Sequence, residues 1–357
     1  MGIFDYYNKW GKNGMKTTRT DFIDMVGLEG IQEIVKQVFL GGNVRDITEF
    51  ITQRRLLNSY FAILDLFLKQ QKEFMNTTNE YVEYVIMDLI NAKGDAKLLD
   101  LWLLGLTKKG MDNIVRIEDK IVDYQSSFSH SLNHVVEELE NIYGELDGRI
   151  EINGKRLELS WNLLARLFIA IGSQTLSIRG SSKSMNGKMF EKLVLGSLLT
   201  IMGFQFLPEP PEQVDITKKL FWLSNMDENE RETDATVVYN GKAVSIDIGF
   251  IGKGNPEITL DKVTRFQAYK QIGGLPHDMT TIIIVDTVSE NSDLFSKAER
   301  VNGHVLQMKN KDWTITFAKV LGGILKCTHE LEYKQIFLLE SYFEKELEKI
   351  DMQCFFI

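Results

Sequence analysis

Thr233-Asp234-Ala235-Thr236-Val237-Val238-Tyr239-Asn240-Gly241-Lys242-Ala243-Val244-Ser245-Ile246-Asp247-Ile248-Gly249-Phe250-Ile251 is the stretch that decides the fold of this chain. Asn-Gly between two β-branched runs signals a two-residue type I′ turn, whose central residues both need positive φ. Such a turn pairs Tyr239 with Lys242, and counting back along both arms sets Asp234 opposite Asp247. Directly opposed residues of an antiparallel ribbon have Cβ atoms about 4.5–5.5 Å apart, and like charges there repel. Two carboxylates so placed, with no obvious counter-charge between them, point to a divalent cation. The same stretch also reads as two solvent-exposed aspartates on an ordinary hairpin.

The alternation fixes the register. Ala235, Val237, Val244, Ile246, Ile248 and Phe250 fall on one face and suit a core, while Asp234, Thr236, Ser245, Asp247 and Gly249 fall on the other. A slip of one residue would exchange the two faces, so the apolar pattern resists it. The polar face is expected to line a cleft.

Composition narrows the class. The chain has 357 residues, 44% hydrophobic and 25% charged with five prolines, which fits a globular protein of two domains or one core with a large extension. Met1 to Asn13 is polar and aromatic, unlike a secretory leader, and apolar runs such as Leu163 to Ile171 are short and contain Arg166. No membrane span is expected. Cys327 and Cys354 lack metal-ligand spacing, so a cytoplasmic location is expected. His130 and His134 stand four apart, but Ser131 occupies the place where a zinc protease carries Glu, and a solvated helix face is the preferred reading. The net charge of −9 does not favour a nucleic-acid partner, yet only the local field at a cleft matters. Arg179, Lys183, Lys188 and Lys192 form one basic cluster, and Lys253, Lys262, Arg265 and Lys270 form another; both also read as solvated helix faces.

The first half carries apolar residues at helical spacing over Asp21–Phe39, Ile47–Lys69, Asn79–Ile90, Ala96–Leu106, Asp112–Asp123 and Ser129–Tyr143. A second Asn-Gly hairpin is expected at residues 149–159, near a domain boundary, followed by a helix capped by Ser160 and running to about Ile171. The second half alternates elements: a helix from Met185 to Met202 stopped by Gly203, extended segments at Gln205–Leu207 and Leu220–Leu223, the aspartate hairpin, a helix from Thr259 to Ile272 ended by Gly273-Gly274, and a β-branched run at Thr280–Asp286 that suits a strand buried on both faces. Further helices are expected at Ser292–Arg300, Trp313–Leu325 and Glu332–Ile350.

This order, with Asp opening the second strand and an acid inside the third, resembles the PD-(D/E)XK nuclease core of many type II restriction endonucleases. The segments Arg179–Glu191 and Ser245–Glu257 also resemble the entry to the core in restriction enzymes, and in its details the chain resembles the CfrBI-like group. The resemblance covers roughly residues 179–290. The implied class is α/β in the α+β sense, a mixed β-sheet flanked by helices with a large α-helical N-terminal region. Residues 1–160 are expected to form a helical domain for dimerisation, DNA clamping or both, and residues 161–357 the catalytic domain. The resemblance assigns Asp234 to the motif's Asp, Asp247 to its (D/E) position and Glu191 to an extra acidic ligand on the preceding helix. One departure matters: where the family places Lys, two residues after the acid, this chain has Gly249. Lys253 is the favoured substitute and Lys262 the second candidate; Lys253 also reads as a DNA-phosphate contact.

What the resemblance implies is Mg²⁺-dependent, sequence-specific hydrolysis of double-stranded DNA, by a homodimer paired genetically with a cognate DNA methyltransferase. Mg²⁺ takes hard oxygen ligands and retains waters, so Asp234, Asp247 and the Ile248 carbonyl would suffice with a DNA phosphate. Glu232 is an alternative ligand, read more readily as one charge of the Asp227–Glu232 run, and Glu257 as a helix-start charge. Arg179, Lys183, Lys188, Asn255 and Arg265 are expected to contact DNA. A repair or recombination nuclease on the same core, and an inactive nuclease-fold DNA-binding or assembly module, are the competing readings.

Overall fold

The structure, a computed structural model, describes residues 2–15, 23–24, 26–74, 77–110, 118–211, 215, 217–223, 233–250, 269–272, 275–288, 295, 298 and 303–356. It divides into two compact units, one of Met1–Thr18 and Phe50–Lys183, the other of Arg19–Glu49 and Ser184–Ile357.

The first unit is mostly helical. Its helices start where local chemistry satisfies exposed N–H groups: Thr77 Oγ1 accepts from the Glu80 N–H while the Glu80 carboxylate accepts from the Thr77 N–H, a capping box that opens the helix Thr78–Asn91. The helix Glu118–Tyr143 merges what the sequence divides into two, although residues 111–117 lie outside the described set. The strands β1 (Gly148–Ile152) and β2 (Lys155–Leu159) form the expected hairpin, with Asn153 at φ 51° and Gly154 at φ 75° as a type I′ turn demands. Ser160 Oγ accepts the Leu163 N–H at 3.2 Å, the expected cap.

The helix that Ser160 opens does not stop near Ile171. It runs from Trp161 to Ile201, replacing two expected helices and the Gly/Ser-rich stretch between them. Each interior glycine costs a helix about 1 kcal/mol, but Ala170, Ile178, Phe190, Leu193, Val194 and Leu198 along it are buried, and that burial outweighs the propensity. Arg166, whose charge breaks the apolar run, is fully buried: it donates to the Phe74 carbonyl and lies 4.6 Å from the Tyr81 ring centroid.

The second unit holds a mixed β-sheet flanked by helices. Its strands are β3 (Gln205–Phe206), β4 (Leu220–Leu223), β5 (Ala235–Tyr239), β6 (Lys242–Gly249), β7 (Tyr269–Ile272), β8 (Leu275–Val285) and β9 (His304–Gln307). Among the described residues the spatial order is β3-β4-β5-β6-β8-β7, with β9 also on β8. β4–β5, β5–β6 and β7–β8 are antiparallel; β3–β4, β6–β8 and β8–β9 are parallel. Ile282, Ile283 and Ile284 in β8 are fully buried, as a strand covered on both faces requires. The helix Trp313–Leu325 packs on β6 and β9, and its Trp313 donates to the Val38 carbonyl at 2.9 Å, which ties in the helix Leu28–Phe39. The Phe355 ring rests on Gly196, where a Cβ would approach it to 2.7 Å, and meets the rings of Phe206 and Phe221.

Several expected elements differ. Tyr269–Ile272 is strand β7, not the end of a helix, because Leu275–Asp278 offers it an antiparallel partner; residues 259–268 and 273–274 lie outside the described set. The helix expected over Asp21–Phe39 is interrupted at Gly27, whose φ of 77° no helix accommodates. Glu332–Ile350 resolves into 3₁₀ turns at Glu330–Tyr333 and Ile336–Leu338 and the helix Leu339–Leu347. Most of Ser292–Arg300 is outside the described residues. Among the described residues, no helix is long and apolar enough to cross a membrane.

Candidate active site

The Asn240-Gly241 turn has φ values of 51° and 74°, and the strands pair as the alternation requires: Tyr239 with Lys242, Val237 with Val244, Ala235 with Ile246. One step further along the same register come Asp234 and Asp247. β5 begins only at Ala235, and beyond it the Asp234 side chain continues the work of the ladder: its Oδ2 accepts the Ile248 N–H at 2.7 Å. The carboxylate of Asp234 thus lies against the Asp247–Ile248 peptide.

The two acids sit in different surroundings. Asp234 is half-buried, whereas Asp247 is fully buried. Among the described residues the polar face is largely buried, where the alternation suggested a cleft. Thr236, Ser245 and Thr281 are all buried beside Asp247. Val238 and Ala243 join Leu220, Trp222 and Leu207 in an apolar cluster at one side of this polar stripe. Ile283 and Val285, with Val288 and Val305, form another at the opposite side. The sequence of the hairpin alone does not reveal these flanking clusters, because they draw on β4, β8 and β9. Their consequence is electrostatic: water is excluded around Asp247, and charge interactions there are stronger than at a surface.

The donors fit a hard cation: Asp234, Asp247 and the Ile248 carbonyl are oxygen ligands of the type Mg²⁺ takes. Among the described residues no three His, Cys, Asp or Glu side chains gather as a metal-binding group. Glu191 is half-buried on the Trp161–Ile201 helix. Lys188 is exposed on the same helix, Arg179 is exposed further toward its N-terminus, and Lys183 also belongs to it. Lys253, Asn255, Lys262 and Arg265, with Glu232 and Glu257, lie outside the described residues. His134 is exposed and faces Glu138 at 3.7 Å, in keeping with a solvated helix face.

Comparison with known proteins identifies relatives of the chain. The family model described as CfrBI restriction endonuclease matches residues 28–293. The type II restriction enzyme CfrBI of Citrobacter freundii is 36% identical over 342 residues, covering 95% of this chain and 94% of that protein. No solved structure matches the chain.

Proposed function

The chain belongs to the CfrBI restriction endonuclease family, and on that premise we propose that its aspartate hairpin is the centre that cuts DNA. Sequence-specific cleavage of double-stranded DNA is its activity, so the enzyme is a site-specific deoxyribonuclease. The finer reading is a PD-(D/E)XK core spanning the Trp161–Ile201 helix and strands β4, β5, β6 and β8.

Asp234 and Asp247 would hold Mg²⁺ together with the Ile248 carbonyl, and Glu191 would act as an outer ligand. Bound Mg²⁺ supplies Lewis acidity toward the phosphoryl oxygens and lowers the pKa of water. Asp234 is oriented by the Ile248 N–H, which its Oδ2 accepts at 2.7 Å. Asp247 works in a dry environment, where its charge acts at full strength. Lys253, or Lys262 in its place, orients the attacking water and stabilises the charge of the pentavalent transition state. Arg179, Lys183, Lys188, Asn255 and Arg265 contact the DNA, and phosphate contacts among them set position without reading sequence. A twofold-symmetric dimer suits a palindromic target, with the helical region, read as residues 1–160, supplying dimer contacts or a clamp. A cognate methyltransferase is the expected genetic partner, and the cytoplasm the expected location.

The observation that carries the metal assignment is the Asp234 carboxylate seated against the Asp247–Ile248 peptide. Incubating the protein with a sequenced plasmid in Mg²⁺, in Mn²⁺ and in EDTA tests it. Discrete fragments with one shared end sequence in Mg²⁺, and none in EDTA, are expected. Random nicking would favour a repair nuclease, and cleavage undiminished by EDTA would overturn the metal reading.

A further inference from the structure

The helical unit carries an apolar groove of about 460 Å³ whose occupant its own sequence suggests. One wall comes from the helix Glu118–Tyr143. There Phe128, Leu132, Val135, Leu139 and Ile142 recur at steps of four, three, four and three, the spacing of a coiled-coil seam. The other wall is the start of the Trp161–Ile201 helix, through Trp161, Leu164 and Phe168. A seam of this kind is normally covered, yet Val135 is 45% exposed, Ile142 69%, Phe168 63% and Leu176, two turns beyond Phe168, 68%. Glu137, Glu138 and Glu140 on the first helix are exposed as well, so its ordinary solvent face is already supplied by acids. An apolar face of this extent marks an association site.

We propose that this groove is the interface between two copies of the chain, which bring two helices each into a four-helix bundle. The inference rests on the homodimer reading above and assigns it a surface. A pair of helices with a shared seam is half of a bundle, and twofold symmetry supplies the other half from the same surface, seam to groove and groove to seam. The dimensions agree. Phe128 to Ile142 spans about 21 Å at 1.5 Å per residue, and two helices side by side are about 20 Å wide. Such a face measures about 420 Å² in flat projection, which exposed side chains standing on it enlarge, so the seam forms the centre of an interface whose standard size is ~800 Å² per partner.

The test is the mass of the DNA-free full-length chain by analytical ultracentrifugation, with Val135→Glu and Phe168→Glu compared with wild type. A wild-type dimer is expected, and each substitution should raise its dissociation constant by roughly 100-fold or more, with helical circular dichroism and melting unchanged. If either variant loses helical signal, Ile142→Glu carries the test, since Ile142 ends the same seam, 69% exposed, and its substitution leaves the groove's own packing in place. A wild-type monomer at micromolar concentration, or variants as dimeric as wild type, would overturn the proposal. Plasmid cleavage run in parallel separates the two readings. A monomer that cuts removes this interface and leaves the nuclease intact; a dimer that never cuts does the reverse.

Discussion

Asp234 holds the Ile248 backbone: its Oδ2 accepts the Ile248 N–H at 2.7 Å just beyond the last strand pair of β5 and β6. One side chain therefore serves two purposes, finishing the ribbon and presenting an oxygen at the proposed metal site. Asp234→Ala should cost about 1–3 kcal/mol of stability, because it strips a partly buried N–H of its acceptor. Asp234→Asn keeps an acceptor oxygen and should cost less. Urea unfolding in EDTA measures both, and equal stability of the three proteins would show that the bond contributes nothing.

On the proposed PD-(D/E)XK reading, the lysine missing at Gly249 is supplied from elsewhere. Lys253→Ala is expected to reduce the cleavage rate by about 10²-fold or more, with Lys262→Ala much milder. A single-turnover cleavage assay decides, and the reverse order of effects would transfer the role to Lys262.

The turn at the far end of the hairpin is anchored as well. Asn240 Nδ2 donates to the Leu325 carbonyl at 3.0 Å and Lys242 Nζ to the Ile324 carbonyl at 2.9 Å, which tie the turn to the end of the Trp313–Leu325 helix. Asn240→Ala loses its bond to Leu325 and the preference of Asn for positive φ, a cost of about 1–2 kcal/mol. The cleavage rate of the folded variant should match wild type. Unchanged thermal unfolding would mean that the anchor is idle.

Asp100 in the helical unit is fully buried, and neither of its oxygens has a hydrogen-bond partner among the described residues. Burial, reinforced by the Asp88 charge, pushes its carboxyl up to about 8. The folded protein therefore keeps a proton there that the unfolded chain has already released above about pH 4. This group's contribution is fully present below pH 4. It falls by about 1.4 kcal/mol per pH unit toward pH 8 and then levels off. Asp100→Asn should remove that slope, so the variant gains on wild type between pH 5 and 8. Parallel stability curves over that range would refute the assignment.

Much of the architecture was legible because local chemistry and tertiary context agreed. Asn240-Gly241 fixed a register that the apolar alternation also demanded, Leu220–Leu223 formed its strand as read, and Trp313–Leu325 formed its helix with both ends as expected. Where the two disagreed, tertiary context prevailed. Gly172, Gly180 and Gly187 stay inside one helix because apolar neighbours along it are buried. Tyr269–Ile272 becomes a strand because β8 extends far enough to pair with it. The apolar clusters that flank the Asp247 stripe include Trp222, Ile283 and Val305, which are remote in sequence, so no reading of the hairpin could supply them. Arg166 interrupted an apolar run in the sequence, yet its guanidinium is accommodated by a carbonyl and an aromatic face.

The central claim is that Asp234 and Asp247 together hold the cation that cleaves DNA. The most direct measurement incubates wild type, Asp234→Asn and Asp247→Asn with one plasmid in Mg²⁺, after circular dichroism has shown all three to be folded. Wild type should give discrete fragments, and each variant should cut at least about 10³-fold more slowly. A folded variant of either aspartate that cuts at the wild-type rate would contradict the account.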